Sequence, residues 1–122
     1  MSARDILRAY EDRINRHDFE TLSELIAEDA VFWFSDGSHH GLAEIRTAFE
    51  RTWRTLSDET YWLEERRWLA EGDLAAACTY RFHWRAVIEG RAASGAGRGT
   101  TVLGLRNGRW QIVHEHLSAD PD

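Results

Sequence analysis

From Leu74 to Ile88 the chain alternates. Leu74, Ala76, Cys78, Tyr80, Phe82, Trp84, Ala86 and Ile88 are apolar, and Thr79, Arg81, His83 and Arg85 fall between them. Period-two alternation over this length predicts a long β-strand with one dry face and one mixed face. An antiparallel sheet covered on one side produces that pattern. The dry face is small at its start, aromatic in its middle and aliphatic at its end, so it needs a cover.

Upstream the period is helical. Ser2 can cap a helix carrying Ile6, Leu7, Tyr10 and Ile14, with Asp5 in its first turn. Asn15-Arg16-His17 breaks the pattern, and Asp18 can cap a second helix with Phe19, Leu22, Leu25 and Ile26. Ala30 to Phe34 is β-prone, and Ser35 to Ser38 reads as a turn. A third helix follows Gly41, with Leu42, Ile45, Phe49, Trp53 and Leu56 as its stripe. After Glu59 the period becomes two again. Strands are expected over Tyr61 to Ala70, along the alternating segment, from Ser94 onward, and from Trp110 to Ser118. Asn107-Gly108 is the strongest hairpin signal.

The expected order is α-α-β-α-β-β-β-β, one domain over residues 1–122. Helices first and strands later is an α+β arrangement. Three N-terminal helices would close the concave side of a strongly bent, mainly antiparallel sheet. The result is a cone-shaped roll with room inside for a small molecule.

Composition narrows the partners. A formal charge of −6 argues against a nucleic-acid or anionic-membrane surface. All 15 basic residues are arginine, a side chain suited to fixed carboxylate recognition. The single cysteine, Cys78, excludes an internal disulfide and a cysteine-based metal cluster. No signal peptide or membrane-spanning apolar run is evident, so a cytoplasmic location is expected. Six tryptophans among the aromatics suggest a large aromatic core, a pocket, or both.

Several segments resemble a known family. They are Leu25-Ile-Ala-Glu-Asp-Ala-Val-Phe-Trp33, His40-Gly41 before a helix, Gly72-Asp-Leu-Ala75, Gly97-Arg-Gly-Thr100 and Gly108-Arg-Trp-Gln-Ile-Val-His-Glu-His-Leu-Ser118. Together they resemble the nuclear transport factor 2-like, or cystatin-like, superfamily, and within it the SnoaL-like group. Arg98-Gly-Thr100 and His114-x-His116-x-Ser118 are also similar to the association domain of calcium/calmodulin-dependent kinase. The resemblance implies the cone fold. It leaves function open, because the group mixes isomerases, cyclases, dehydratases, hydrolases and assembly domains. Against the ketosteroid isomerase branch, Tyr10 falls at a pocket tyrosine, Phe34 where a general-base aspartate stands, and Thr100 near an oxyanion aspartate. That mechanism is therefore not expected.

His114 and His116 share a strand face and, if it is concave, bring two imidazoles into the cone mouth. The other reading is that they hydrogen-bond locally and stiffen the strand. His39, His40, His114 and His116 could in principle hold a metal, but adjacent histidines diverge and no carboxylate is fixed by spacing. No metal and no cofactor are expected. By the kinase-domain resemblance Arg98 points inward, alternating with Thr100 and Val102. It would then need an anion, either a ligand carboxylate or Glu64, Glu65 or Glu115. Gly95, Gly97 and Gly99 then share the outer face, with Leu103 and Leu105, as a bare strip for a second subunit. Tyr10, Trp33, Trp53, Tyr80, Phe82 and Trp84 are the expected pocket walls.

Two functions fit. One is a small-molecule-binding protein or enzyme, an isomerase, cyclase or hydrolase. Its ligand would be apolar or aromatic with an acidic or carbonyl group. Arg98 would hold the polar end, and His116, with His40 or His114, would move a proton. The alternative is a non-catalytic binding or homodimeric assembly module.

Overall fold

The computed structural model describes residues 1–121. Its elements are α1 (Ala3–Ile14), α2 (Phe19–Ser23), β1 (Ile26–Phe34), β2 (Gly37–His40), α3 (Gly41–Thr55), β3 (Ser57–Glu71), β4 (Ala75–Ile88), β5 (Arg91–Arg106) and β6 (Arg109–Ala119). They form one six-stranded sheet in the order β2-β1-β6-β5-β4-β3. All neighbours are antiparallel except β1 and β6, which run parallel. The α+β cone expected from the sequence is the fold found.

Ser2 caps α1 through a capping box with Asp5, satisfying two otherwise orphaned N–H groups. Asp18 caps α2, but that helix ends at Ser23. Leu25 and Ile26, expected on its stripe, instead lead into β1, and Ile112 N–H donates to the Leu25 carbonyl. The segment expected as a turn closes a hairpin whose return strand, β2, was not anticipated. At four residues and mostly polar, β2 carries no alternation to read.

Ile6, Leu7, Tyr10, Phe32, Ile45, Phe49, Leu63, Tyr80, Leu103 and Ile112 belong to the single core cluster beneath the helices. Among the described residues no helix is long and apolar enough to cross a membrane.

Two local features set which side chains face inward. The first is the β4–β5 hairpin. Glu89 and Gly90 both adopt positive φ, 50° and 79°, the backbone of a two-residue turn that matches strand twist. That turn sets Trp84 opposite Gly95, Phe82 opposite Gly97 and Tyr80 opposite Gly99. Each ring lies over its glycine. A Cβ at Gly95 would stand 2.5 Å from the Trp84 indole nitrogen, and at Gly97 or Gly99 it would collide with Phe82 or Tyr80.

The second is a bulge. Leu103 pairs with Ile112 but Val102 pairs with His114, which leaves Val113 unopposed. One extra residue reverses the parity of everything beyond it. Ile112 and Glu115 therefore both point into the core, 0 % and 1 % exposed.

Candidate functional site

Between the helices and the concave sheet lies a cavity of about 330 Å3. Tyr10 of α1, Phe49 and Trp53 of α3, Tyr61 of β3, Phe82 and Trp84 of β4 and Leu117 of β6 give it aromatic and apolar walls. Its acidic groups are Asp36, Glu59 and Glu115, and among the described residues no arginine or histidine lines it.

Glu115 is the most enclosed of these. Tyr10 Oη donates to its Oε2 at 2.9 Å, and Tyr80 Oη donates to its Oε1 at 3.2 Å. Thr101 Oγ1 stands 2.7 Å from Tyr80 Oη and 3.4 Å from Glu115 Oε1. Burial pushes the Glu115 carboxyl up to about 7, against the pull of these donors, which favour the charged form. Burial also raises the Tyr10, Tyr61 and Tyr80 phenols well above their ordinary value, and the nearby Glu115 charge adds to it.

Glu59 differs. It is 8 % exposed and makes no side-chain hydrogen bond or ion pair among the described residues. Burial alone pushes its carboxyl up to about 7. Its carbonyl oxygen accepts from His17 Nε2 at 3.0 Å, and the His17 ring stacks on Trp53. The Trp53 indole N–H is buried and has no partner among the described residues.

Of the residues expected at the site, Tyr10, Trp53, Phe82 and Trp84 line this cavity, and Tyr80 supports Glu115 from behind. The others do not converge there. The Val113 bulge turns His114 and His116 to the outer face of the sheet. There both pack edge-on against Trp33, 5.1 and 5.6 Å between centroids, and Trp33 is 46 % exposed. His114 Nδ1 is 2.6 Å from the Val31 carbonyl oxygen, the local hydrogen bond that was the alternative reading.

Arg98 and Thr100 also face outward, with Arg67, His116 and Ser118 along a shallow groove. The inward side of that stretch belongs to Gly97 and Gly99, the reverse of the expected assignment. His40 is exposed at the start of α3 and makes no side-chain cap. Leu103, expected on an apolar outer surface, is fully buried.

The site residues that sequence reasoning missed are Glu115 and Glu59. Glu115 was visible only as a counter-ion candidate for Arg98, and Glu59 only as the point where the period changes.

Tyr10→Phe tests the support of Glu115. Loss of one donor to the charged form should move the Glu115 midpoint above about 7. It should also reduce stability at pH 8 by about 1 kcal/mol. A carboxyl-carbon NMR titration reads the first effect, and an unchanged midpoint would show that the Tyr10 bond does not favour the ionised form.

A helix-covered, strongly curled sheet with a walled interior defines a nuclear transport factor 2-like cone. The chain belongs to the SnoaL-like domain family, whose model matches residues 7–113. Among solved structures, a nuclear transport factor 2-like superfamily protein from Salmonella enterica serovar Typhimurium superposes with a TM-score of 0.88 at 23% identity, over 97% of this chain and 88% of that one. The association domain of CaMKII from C. elegans gives 0.76 at 21% identity, over 95% and 94%. A Caulobacter vibrioides protein with a cystatin-like fold gives 0.83 at 19% identity, over 98% and 88%. No curated protein matches the chain.

Proposed function

We propose that the protein binds a small, largely apolar or aromatic molecule inside the cone, and that Glu115 exchanges a proton with it. The observation that carries this reading is the Glu115 carboxyl itself, buried, held by two tyrosines and raised to about 7. A carboxyl at that value is present in both forms near neutral pH, so it can serve as base and then as acid.

In this reading a carbon acid beside a ligand carbonyl gives its proton to the Glu115 carboxylate. The C–H electron pair becomes the enolate double bond as the carbonyl π pair moves to oxygen, and in a β,γ-unsaturated ketone return of the proton to the γ carbon completes an isomerisation. The carboxylate-lined cavity offers an acidic ligand no counter-ion, so a ligand carboxylate is not part of this reading.

2-Tetralone in D2O is a suitable probe. It should shift the indole N–H signals of Trp53 and Trp84 and take up deuterium beside its carbonyl. Glu115→Gln should keep the shifts and abolish the catalysed exchange. Exchange no faster than in buffer would remove the proton-transfer role.

The outer face supports a homodimer as a second property. Trp33 is exposed there beside His114, His116 and the Arg98 groove, and an exposed tryptophan in a polar setting is a common interface anchor. Sedimentation at micromolar concentration should give a dimer that Trp33→Glu dissociates. A native monomer there would end this reading.

A further inference from the structure

Glu59 has no use in the proton transfer just described. It lies on the inner face of β3 with Tyr61, two residues on, in the same cavity as Trp53, Phe82 and Trp84. Its side chain is 8 % exposed and lines the cavity, so its carboxyl is met by whatever fills the cavity, water or a ligand. Among the described residues no cationic side chain lines the cavity, and His17 beside it is engaged with the Glu59 backbone. Aromatic faces carry negative potential and attract a cation. Carboxylates and rings together, with no positive group, form a surround for a positive ligand.

We propose that the cavity takes a ligand bearing a protonated amine, with Glu59 as its counter-ion and the rings of Trp53, Tyr61 and Trp84 around it. This rests on the cone interior being the ligand site, and names the charge class of what enters. Burial holds the proton on the Glu59 carboxyl below about pH 7. Entry of an ammonium group favours the carboxylate, so binding releases that proton.

Amine affinity must then rise with pH across this range. At pH 6 roughly one-tenth of the carboxyl is ionised, and affinity falls about tenfold relative to pH 8. The other titratable groups facing the cavity are Asp36 from the β1–β2 turn, Tyr10 from α1, Tyr61 from β3 and Glu115 from β6. Glu115 titrates in the same range, so its contribution has to be separated by substitution.

The probes are 2-phenylethylamine, 2-phenylethanol and phenylacetate, which differ mainly in the charge at one end. Titrations follow the Trp53 and Trp84 indole N–H signals at pH 6 and pH 8. The amine should bind at least about tenfold more tightly than the alcohol at pH 8, and phenylacetate should not bind. Glu59→Gln keeps the size of the side chain and the donor and acceptor of its protonated form, and removes the charge. It should bring the amine down to the level of the alcohol, leave the alcohol unchanged and remove the pH dependence that Glu115→Gln retains.

If the amine and alcohol bind equally, or Glu59→Gln leaves amine affinity intact, the amine inference is overturned and the cavity reading survives. If none of the three probes, nor 2-tetralone, perturbs the indole signals, both are overturned. A melting temperature for Glu59→Gln at or above that of the native protein excludes misfolding as the cause of lost binding.

Discussion

At pH 8, Glu115→Gln should be more stable than the native protein by about 2–3 kcal/mol, a rise of roughly 10 °C in melting temperature for a domain of this size. The native carboxyl titrates at about 7 in the fold against an ordinary value of 4.5. Between those values the folded state holds a proton that the unfolded chain has released. Stability from this group is therefore fully present below about 4.5 and is lost as pH rises through about 7. At about 1.4 kcal/mol per unit, the full difference is about 3 kcal/mol.

Glutamine removes the titration and keeps the shape. It offers one acceptor oxygen where the carboxylate offered two, which takes back part of the gain. At pH 5 the advantage should shrink to within about 1 kcal/mol. Melts of both proteins across this pH range measure it, and a constant difference would mean that Glu115 is not raised in the fold. A carboxyl whose replacement stabilises the protein is what a site retained for chemistry predicts.

Gly97→Ala should act in the opposite direction, destabilising by about 3 kcal/mol, the upper end of what overpacking usually produces. Its Cβ would meet the Phe82 ring and the Ser118 carbonyl oxygen. The ring could turn aside, but the carbonyl belongs to the neighbouring β6 backbone and can move only with the strand. The melting temperature should fall by roughly 10 °C. Gly104→Ala is the control on the same strand. Its Cβ would come no closer than 3.5 Å to Val113, and the change should stay within about 1 kcal/mol. Equal effects at the two positions would show that the ring-over-glycine packing does not constrain the sheet.

The same glycines show how much of the site was legible. The strand alternation placed Tyr80, Phe82 and Trp84 together on the dry face, and their burial or cavity contact follows. The two-residue turn at Glu89-Gly90 then sets the register arithmetically, with each ring opposite a glycine. That pairing was readable from the chain and would have turned Gly97 inward and Arg98 outward. The inward placement of Arg98 came instead from a likeness to another domain, and the local register overrides it.

The histidines are different. Parity from Ile112 carries His114 and His116 inward, and only the unopposed Val113 reverses it. Nothing in Gln111-Ile112-Val113-His114 marks a bulge.

By itself the sequence determined the helical and strand periods, the cap at Ser2, the late antiparallel meander and hence the cone, because these depend on spacing along the chain. Tertiary structure decided the rest. It added β2 as an edge strand too short to carry a pattern, laid β1 parallel to β6, and converted Glu115 from a strand residue between two histidines into the buried acid of the cavity. It also left the Glu59 side chain without a counter-ion among the described residues, since whether a carboxylate finds one depends on which distant side chains the fold brings to it.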